Sequence, residues 1–235
     1  MTVRQLHTVE GFYGVTGDGF NPKGALSVDG KELDEEEMST LQSNPSFRLL
    51  ASCLSLCHNS QISKVDGRWT AIGDPTDSAC AVLGWKLNGE VRKFSQRHPR
   101  IHEFFFDTER KRMSVIPEYE GERWVFSKGA AGGFVPITSH RYLNGELVEI
   151  TEDDLKEASK RNKEMGSQSM RVIALAARKL GEDEDMTDLS VVENDMIFLG
   201  LVGIMDPPRP EVKEAIRICQ DAGIKVKMIT GDHHM

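Results

Sequence analysis

A chain of 235 residues, 39% of them hydrophobic, can bury a core as one large domain or as one domain with a fragment attached. Its net charge of -8 argues against nucleic-acid or anionic-membrane binding as a general property, though a phosphate ligand needs only local positive charge. No run approaches the ~18 to 20 apolar residues of a spanning helix, the longest candidate, Met196–Met205, being broken by Gly200 and Gly203.

In chain order, residues 1–5 carry no apolar run behind their positive charge, so no secretion signal is expected and the chain is expected to stay in the cytosol. Two acidic stretches, 32–37 and 181–188, read as solvated loops or helix ends. Cys53, Cys57, Cys80 and Cys219 are too few and too scattered for a disulfide framework, and reduced thiols are expected. Cys53, Cys57 and His58 lack the second short-spaced pair of a zinc site, so core packing is preferred over a metal site.

Strand signals follow at Arg68–Ile72, 104–106, 113–116, 123–127, 171–176 and 196–204, with a hairpin about Gly121. Asp74-Pro75-Thr76-Asp77 opens a helix: an N-cap carboxylate, proline at the first helical position and an acid at the third, before Ala79, Cys80 and Leu83 share a face. Thr151-Glu152-Asp153-Asp154 opens another, with Leu155 and Ala158 inward and Gly166 as its stop. A third begins at Pro210, places Val212, Ile216 and Cys219 on one stripe, and ends at Gly223 before an apolar strand run, 224–229. Strand, helix, strand, then Thr230-Gly231-Asp232 is the order of a parallel βαβ unit. Asp206-Pro207-Pro208-Arg209 supplies a stiff joint before it. The expectation is α/β (α+β): an antiparallel sheet flanked by helices over 1–205, and a βαβ fragment over 206–235.

Familiar nucleotide motifs are missing: there is no Walker A loop, no dinucleotide glycine spacing at 14–19 and no kinase signature. Other segments stand in a recognisable order. They are Val15-Thr16-Gly17-Asp18-Gly19-Phe20-Asn21-Pro22-Lys23-Gly24, Gly73-Asp74-Pro75-Thr76-Asp77, Phe106-Asp107-Thr108-Glu109-Arg110-Lys111-Arg112-Met113-Ser114 and Lys128-Gly129-Ala130. Met170-Arg171-Val172, Asp206-Pro207-Pro208-Arg209 and Thr230-Gly231-Asp232 complete the series. In this order they resemble the large cytoplasmic loop of type II P-type ATPases, which pump cations such as Ca2+ or Na+ and K+, and the resemblance covers nearly the whole chain.

The resemblance implies an ATP-binding domain, with 206–235 opening a haloacid-dehalogenase-like phosphorylation domain, on the cytoplasmic face of a membrane in a parent pump. Ca2+ is its first candidate ion. Phe106 would stack on adenine; local pattern alone favours core, since Phe104 and Phe105 adjoin it, while strand alternation sends Phe104 and Phe106 to one face and Phe105 to the other, so that one face can be core and the other pocket. Lys128, followed by Gly129, would lie in the adenosine pocket with room for its ammonium to reach a ligand. Lys111 and Arg171 would sit near the phosphates, where a point charge or a planar fork stabilises anionic oxygens, while Arg110 and Arg112 would face solvent. Asp77 would help hold the base, with a structural role at its helix N-terminus weighed equally.

Thr230, Gly231 and Asp232 resemble half of a phosphorylation site, where a hydroxyl bonds a phosphoryl oxygen and a carboxylate positions groups around Mg2+. The acceptor aspartate of Asp-Lys-Thr-Gly-Thr would lie before Met1 and most Mg2+ ligands beyond Met235, so this chain is expected to bind ATP without turning it over, holding no metal itself. Its expected partners are ATP and the remaining domains of the pump, with no nucleic acid and no direct membrane contact. Two departures stand out: Ala131-Gly132-Gly133 and Pro136 replace a usual helix start and should weaken it, and Thr108 stands where many pumps have arginine. The competing readings are a haloacid-dehalogenase-type phosphatase, for which no early aspartate pair is suitably placed, and a non-catalytic interaction domain, against which Phe106, Lys111, Lys128 and Arg171 stand together.

Overall fold

The computed structural model describes residues 1–206, 210–227 and 229. In chain order the elements are β1 (Thr2–His7), β2 (Phe12–Val15), β3 (Leu26–Val28), β4 (Lys31–Glu32), α1 (Glu35–Ser43), α2 (Pro45–Leu56), β5 (Gln61–Val65) and β6 (Arg68–Ile72). Then come α3 (Pro75–Asn88), α4 (Val91–Arg97), β7 (Arg100–Asp107), β8 (Arg112–Tyr119), β9 (Glu122–Ala130), β10 (Thr138–Leu143) and β11 (Glu146–Glu149). The chain continues through α5 (Glu152–Ser167), β12 (Arg171–Lys179), α6 (Leu189–Val192), β13 (Met196–Met205) and α7 (Pro210–Asp221). Packing divides it into two units, Met1–Met205 and Asp206–Met235.

The first unit is built on a large sheet in the order β4-β3-β2-β1-β13-β12-β9-β8-β7, every neighbouring pair antiparallel. β10 adds one parallel pairing, to the first half of β13, and carries β11 on its far edge. β13 is therefore bordered by β12 along one edge and by β10 and β1 end to end along the other. Both its faces are covered, and so its sequence is continuously apolar instead of alternating. The faces separate two cores. Ile197 and Leu199 join Leu175 and Ala177 beneath α2 and α3, while Met196 and Phe198 join Ala174 and Ala176 beneath α5, whose Met165 is fully buried.

Local chemistry explains the helix starts. Asp74 accepts from the backbone N–H groups of Thr76 at 2.7 Å and Asp77 at 3.2 Å, with Pro75 at the first position of α3. Thr151 and Asp154 form a reciprocal capping box on α5, which runs one residue past the expected stop at Gly166. α1 and α2 are absent from the expectations above, yet Asn44 caps α2 as Asp74 caps α3. α2 buries ten of its twelve residues, so it lacks the polar face that a periodicity reading needs. The weakened helix after Ala130 is two short 3-10 turns, Ala131–Gly133 and Val135–Ile137.

In the second unit α7 ends at Asp221, and Gly223 stops it two residues on, with a left-handed φ of 75° and an N–H that bonds the Gln220 carbonyl at 3.0 Å. The expected strand over 224–229 is a correction: 224–227 carry no strand, and Ile224 and Val226 are exposed. A parallel strand exists only against a neighbour, and among the described residues from 206 on α7 is the one regular element, so no second strand stands there to pair with.

Candidate functional site

Above the N-terminus of α3 opens a cavity of about 700 Å³, within the ~300–1,000 Å³ usual for small-molecule sites. Its wall includes Asp74, the N-cap of α3, Thr76 and Asp77 from the first turn of that helix, Phe105 and Phe106 from β7, and Met113 from β8. Lys111 comes from the turn between those strands, Lys128, Gly129 and Ala130 from β9, and Arg171, Val172 and Ile173 from β12. Each residue expected at a nucleotide site within the described part of the chain, Asp77, Phe106, Lys111, Lys128, Gly129 and Arg171, is therefore in one cavity.

Phe106 is 59% exposed, which removes the core reading of that ring. The expected alternation is corrected: a bulge lies between Phe104 and Asp107, and Phe105 joins Phe106 on the cavity side while Phe104 packs on the second core. Lys111 has a φ of 53° in the β7–β8 turn, and its carbonyl accepts from the Ala130 N–H at 2.9 Å. Gly129 permits that approach, because a Cβ there would lie 2.2 Å from the Lys111 carbonyl oxygen. The Asp107 side chain fixes the same turn by accepting from the N–H groups of Glu109 at 3.0 Å and Arg110 at 2.9 Å.

Lys128 requires a second correction. Its ammonium is not free: the residue is 4% exposed and pairs with Asp77 Oδ1 at 2.5 Å. Burial by itself would lower the lysine pKa, but the groups facing it, Cys80 and Asp77 ahead of Cys57, hold it above its ordinary value, so the ammonium stays charged. Asp77 Oδ2 accepts from the backbone N–H of Asn59 at 3.1 Å. Arg171 donates from Nη1 to Thr76 Oγ1 at 2.8 Å, which directs its guanidinium across the cavity mouth. The result is a cavity with two aromatic rings, a buried lysine paired with a half-buried aspartate, and two exposed cations, Lys111 and Arg171.

Beneath the floor, Cys53, Cys57 and Cys80 are fully buried, and burial pushes the Cys80 thiol up to about 11. His58 is buried too. Its Nε2–H donates to the Ser55 carbonyl at 3.0 Å while Nδ1 accepts from the Ser60 N–H at 3.3 Å; burial, aided by the nearby Lys128 charge, lowers its pKa to about 4. Among the described residues no group of three or more His, Cys, Asp or Glu is placed to hold a metal.

Arg110 and Arg112 are a third correction. They do not face solvent but clamp Glu193, whose side chain is 2% exposed: Arg110 Nη1 reaches Oε1 at 2.5 Å and Arg112 Nε reaches Oε2 at 2.6 Å. Ser114 Oγ donates to Oε1 at 2.6 Å. Paired this way, the two arginines leave Lys111 as the cation of this turn that lines the cavity. Glu193, Asn59 and Phe105 were not singled out by sequence reasoning. Glu193 stands after the short helix α6 with no motif around it, and only the fold brings it under residues some eighty positions away. Thr108 is an exposed turn residue outside the cavity wall. Asp206 is described and exposed; Pro207, Pro208, Arg209, Thr230, Gly231 and Asp232 lie outside the described residues.

The family described as P-type ATPase, cytoplasmic domain N, matches residues 46–211 of this chain. A calcium-transporting ATPase of Bacillus subtilis (strain 168) is 38% identical over 237 residues, covering 99% of the chain and 26% of that relative. The cation-transporting ATPase pma1 of Synechocystis sp. is 32% identical over 238 residues, covering 99% of the chain and 25% of that relative. A calcium-transporting ATPase type 2C member 2 of Mus musculus is 34% identical over 240 residues, again across 99% of the chain and 23% of the relative. The chain thus spans about a quarter of the length of these curated relatives.

Proposed function

The chain belongs to the family of the P-type ATPase cytoplasmic domain N, and we propose that its cavity over α3 binds ATP for transfer to an aspartate elsewhere in a parent cation pump. The observation that carries this reading is the convergence of the exposed Phe106 ring, the Asp77–Lys128 pair, Lys111 and Arg171 on one cavity of suitable size. An aromatic face suits a planar base, a carboxylate and an ammonium side by side suit its hydrogen-bonding edge, and Lys111 and Arg171 suit the phosphates. The resemblance of the chain to calcium-transporting relatives makes Ca2+ the ion proposed for the parent, and the cytoplasmic side of a membrane its location. Thr230, Gly231 and Asp232 are proposed to adjoin the phosphorylation site, Asp206 to Arg209 to form the hinge, and Mg2+ to be held largely by groups outside this chain.

Titration with ATP, parent against Phe106→Ala, tests the site. Loss of a stacking aromatic costs roughly 1 to 3 kcal/mol of binding, and a ring that is 59% exposed contributes little to stability, so the melt should barely move. Equal ATP affinity in the two proteins would place the base elsewhere.

A further inference from the structure

The backbone of β7 turns one more aromatic ring toward the cavity than regular strand geometry allows. β7 pairs with β8 at Phe104 opposite Ser114, and pairing resumes at Asp107 opposite Arg112, so three steps on one strand face two on the other. In an unbroken strand Phe105 and Phe106 would point to opposite faces. Here both line the cavity, 70% and 59% exposed, while Phe104 packs against the second core.

The bulge is anchored from below. Arg110 Nη2 donates to the Phe105 carbonyl at 2.8 Å, and the same guanidinium is held by the buried carboxylate of Glu193. Arg112 and Ser114 bind that carboxylate as well, tying it to the start of β8. Phe105 is therefore an exposed apolar ring on a backbone fixed by a charged network. Two neighbouring exposed phenylalanines at a cavity mouth form a local apolar surface facing a void, and a ring whose backbone is already ordered loses little freedom when a ligand arrives.

We propose that Phe105 is a second base-contacting aromatic, placed beside Phe106 by the β7 bulge and held there by the Arg110–Glu193 clamp, so that the base of the bound nucleotide meets two rings. The assignment rests on the nucleotide reading of this cavity. Its chemistry is apolar and π contact, which every purine offers, and not hydrogen bonding, so it strengthens binding without choosing among purines.

The test compares parent, Phe105→Ala and Phe105→Trp for binding of ATP and of adenosine, with a thermal melt of each. Phe105→Ala should weaken both ligands by the same factor, about tenfold, because the lost contact is to the base they share. Its melting midpoint should stay with the parent. Phe105→Trp should bind as the parent does and show indole fluorescence quenched by either ligand beyond the response of the native tryptophans. If Phe105→Ala binds both ligands like a parent that itself binds, Phe105 is only a surface ring and the proposal falls alone. If it weakens ATP but not adenosine, the ring acts at the phosphate end and the proposal falls as well. A parent that binds neither ligand overturns the nucleotide reading and this assignment together.

Discussion

Lys128 shows how burial changes what a binding residue does. As an exposed lysine it would matter to ligand alone, but at 4% exposure and paired with Asp77 it also supports the floor of the cavity. Replacing it by methionine keeps the volume and strands the Asp77 carboxylate beside the desolvated core. Breaking a fully buried pair this way costs about 3 to 5 kcal/mol, and the partial exposure of Asp77, 18% of its side chain, makes the cost here smaller. Lys128→Met is expected to lower both the denaturant midpoint and ATP affinity, and an unchanged midpoint would mean that the pair is solvated. His58 carries the pH dependence of the same region. Its folded pKa of about 4 lies below the ordinary 6.5, so between those values the unfolded chain binds the proton and the folded chain does not. Its contribution to stability is complete above about 6.5 and is lost as the pH falls, by roughly 3 kcal/mol once pH 4 is reached. His58→Gln keeps one donor and one acceptor for Ser55 and Ser60 and removes the titration. Denaturant unfolding from about pH 7 to about pH 4 should therefore show a shallower fall in the variant than in the parent.

At the scale of elements, the N-terminus of α3 must be held still for the cavity to keep its shape, and α2 is what it packs against. Gly84 makes their contact close: a Cβ there would lie 2.9 Å from the carbonyl carbon and oxygen of Leu54 and the nitrogen of Ser55, all of them backbone atoms. Alanine would gain about 1 kcal/mol of helix propensity, yet overpacking of this kind costs about 1 to 3 kcal/mol. Gly84→Ala should lower the melting midpoint by a few degrees, because backbone atoms cannot rotate away as side chains do. A midpoint at or above the parent would show that the two helices can separate freely. The β7–β8 turn is governed differently, by Asp107 capping it, Glu193 clamping it and Gly129 lying beneath it.

For the whole molecule, the expected reaction stops at binding. Phosphoryl transfer requires a free in-line nucleophile and a metal, and the carboxylates lining the cavity are both engaged: Asp77 with Lys128, and Asp74 with the N–H groups that start α3. Burial would raise the Asp74 pKa, but the Asp77 and Thr76 N–H groups hold it below the usual value, which leaves a weakly basic carboxylate. With γ-labelled ATP the chain should form no acid-stable, hydroxylamine-sensitive label; a stoichiometric one would require a nucleophile in this chain. ATP affinity should change by less than tenfold, about 1.4 kcal/mol, when Mg2+ is chelated. A larger loss would locate a metal contact in this chain.

The signals legible from residue order alone were those in which one side chain meets its own backbone. The proline-led start of α3 at Asp74, the capping box at Thr151, the hairpin at Gly121 and the glycine stop at 223 all act over a few residues, and each is in the structure. The ordered motifs likewise marked Asp77, Phe106, Lys111, Lys128, Gly129 and Arg171, and these meet at one cavity. Tertiary structure decided what depends on distant partners. It set Lys128 against Asp77, put Arg110 and Arg112 on Glu193 instead of in water, and turned Phe105 toward the cavity through a bulge that strand alternation cannot show. It also enclosed α2 so fully that no polar face marked it as a helix. Caps and turns are closed by near neighbours in sequence, whereas the ion pairs of the site join residues 51 to 83 positions apart, and no local pattern encodes those meetings.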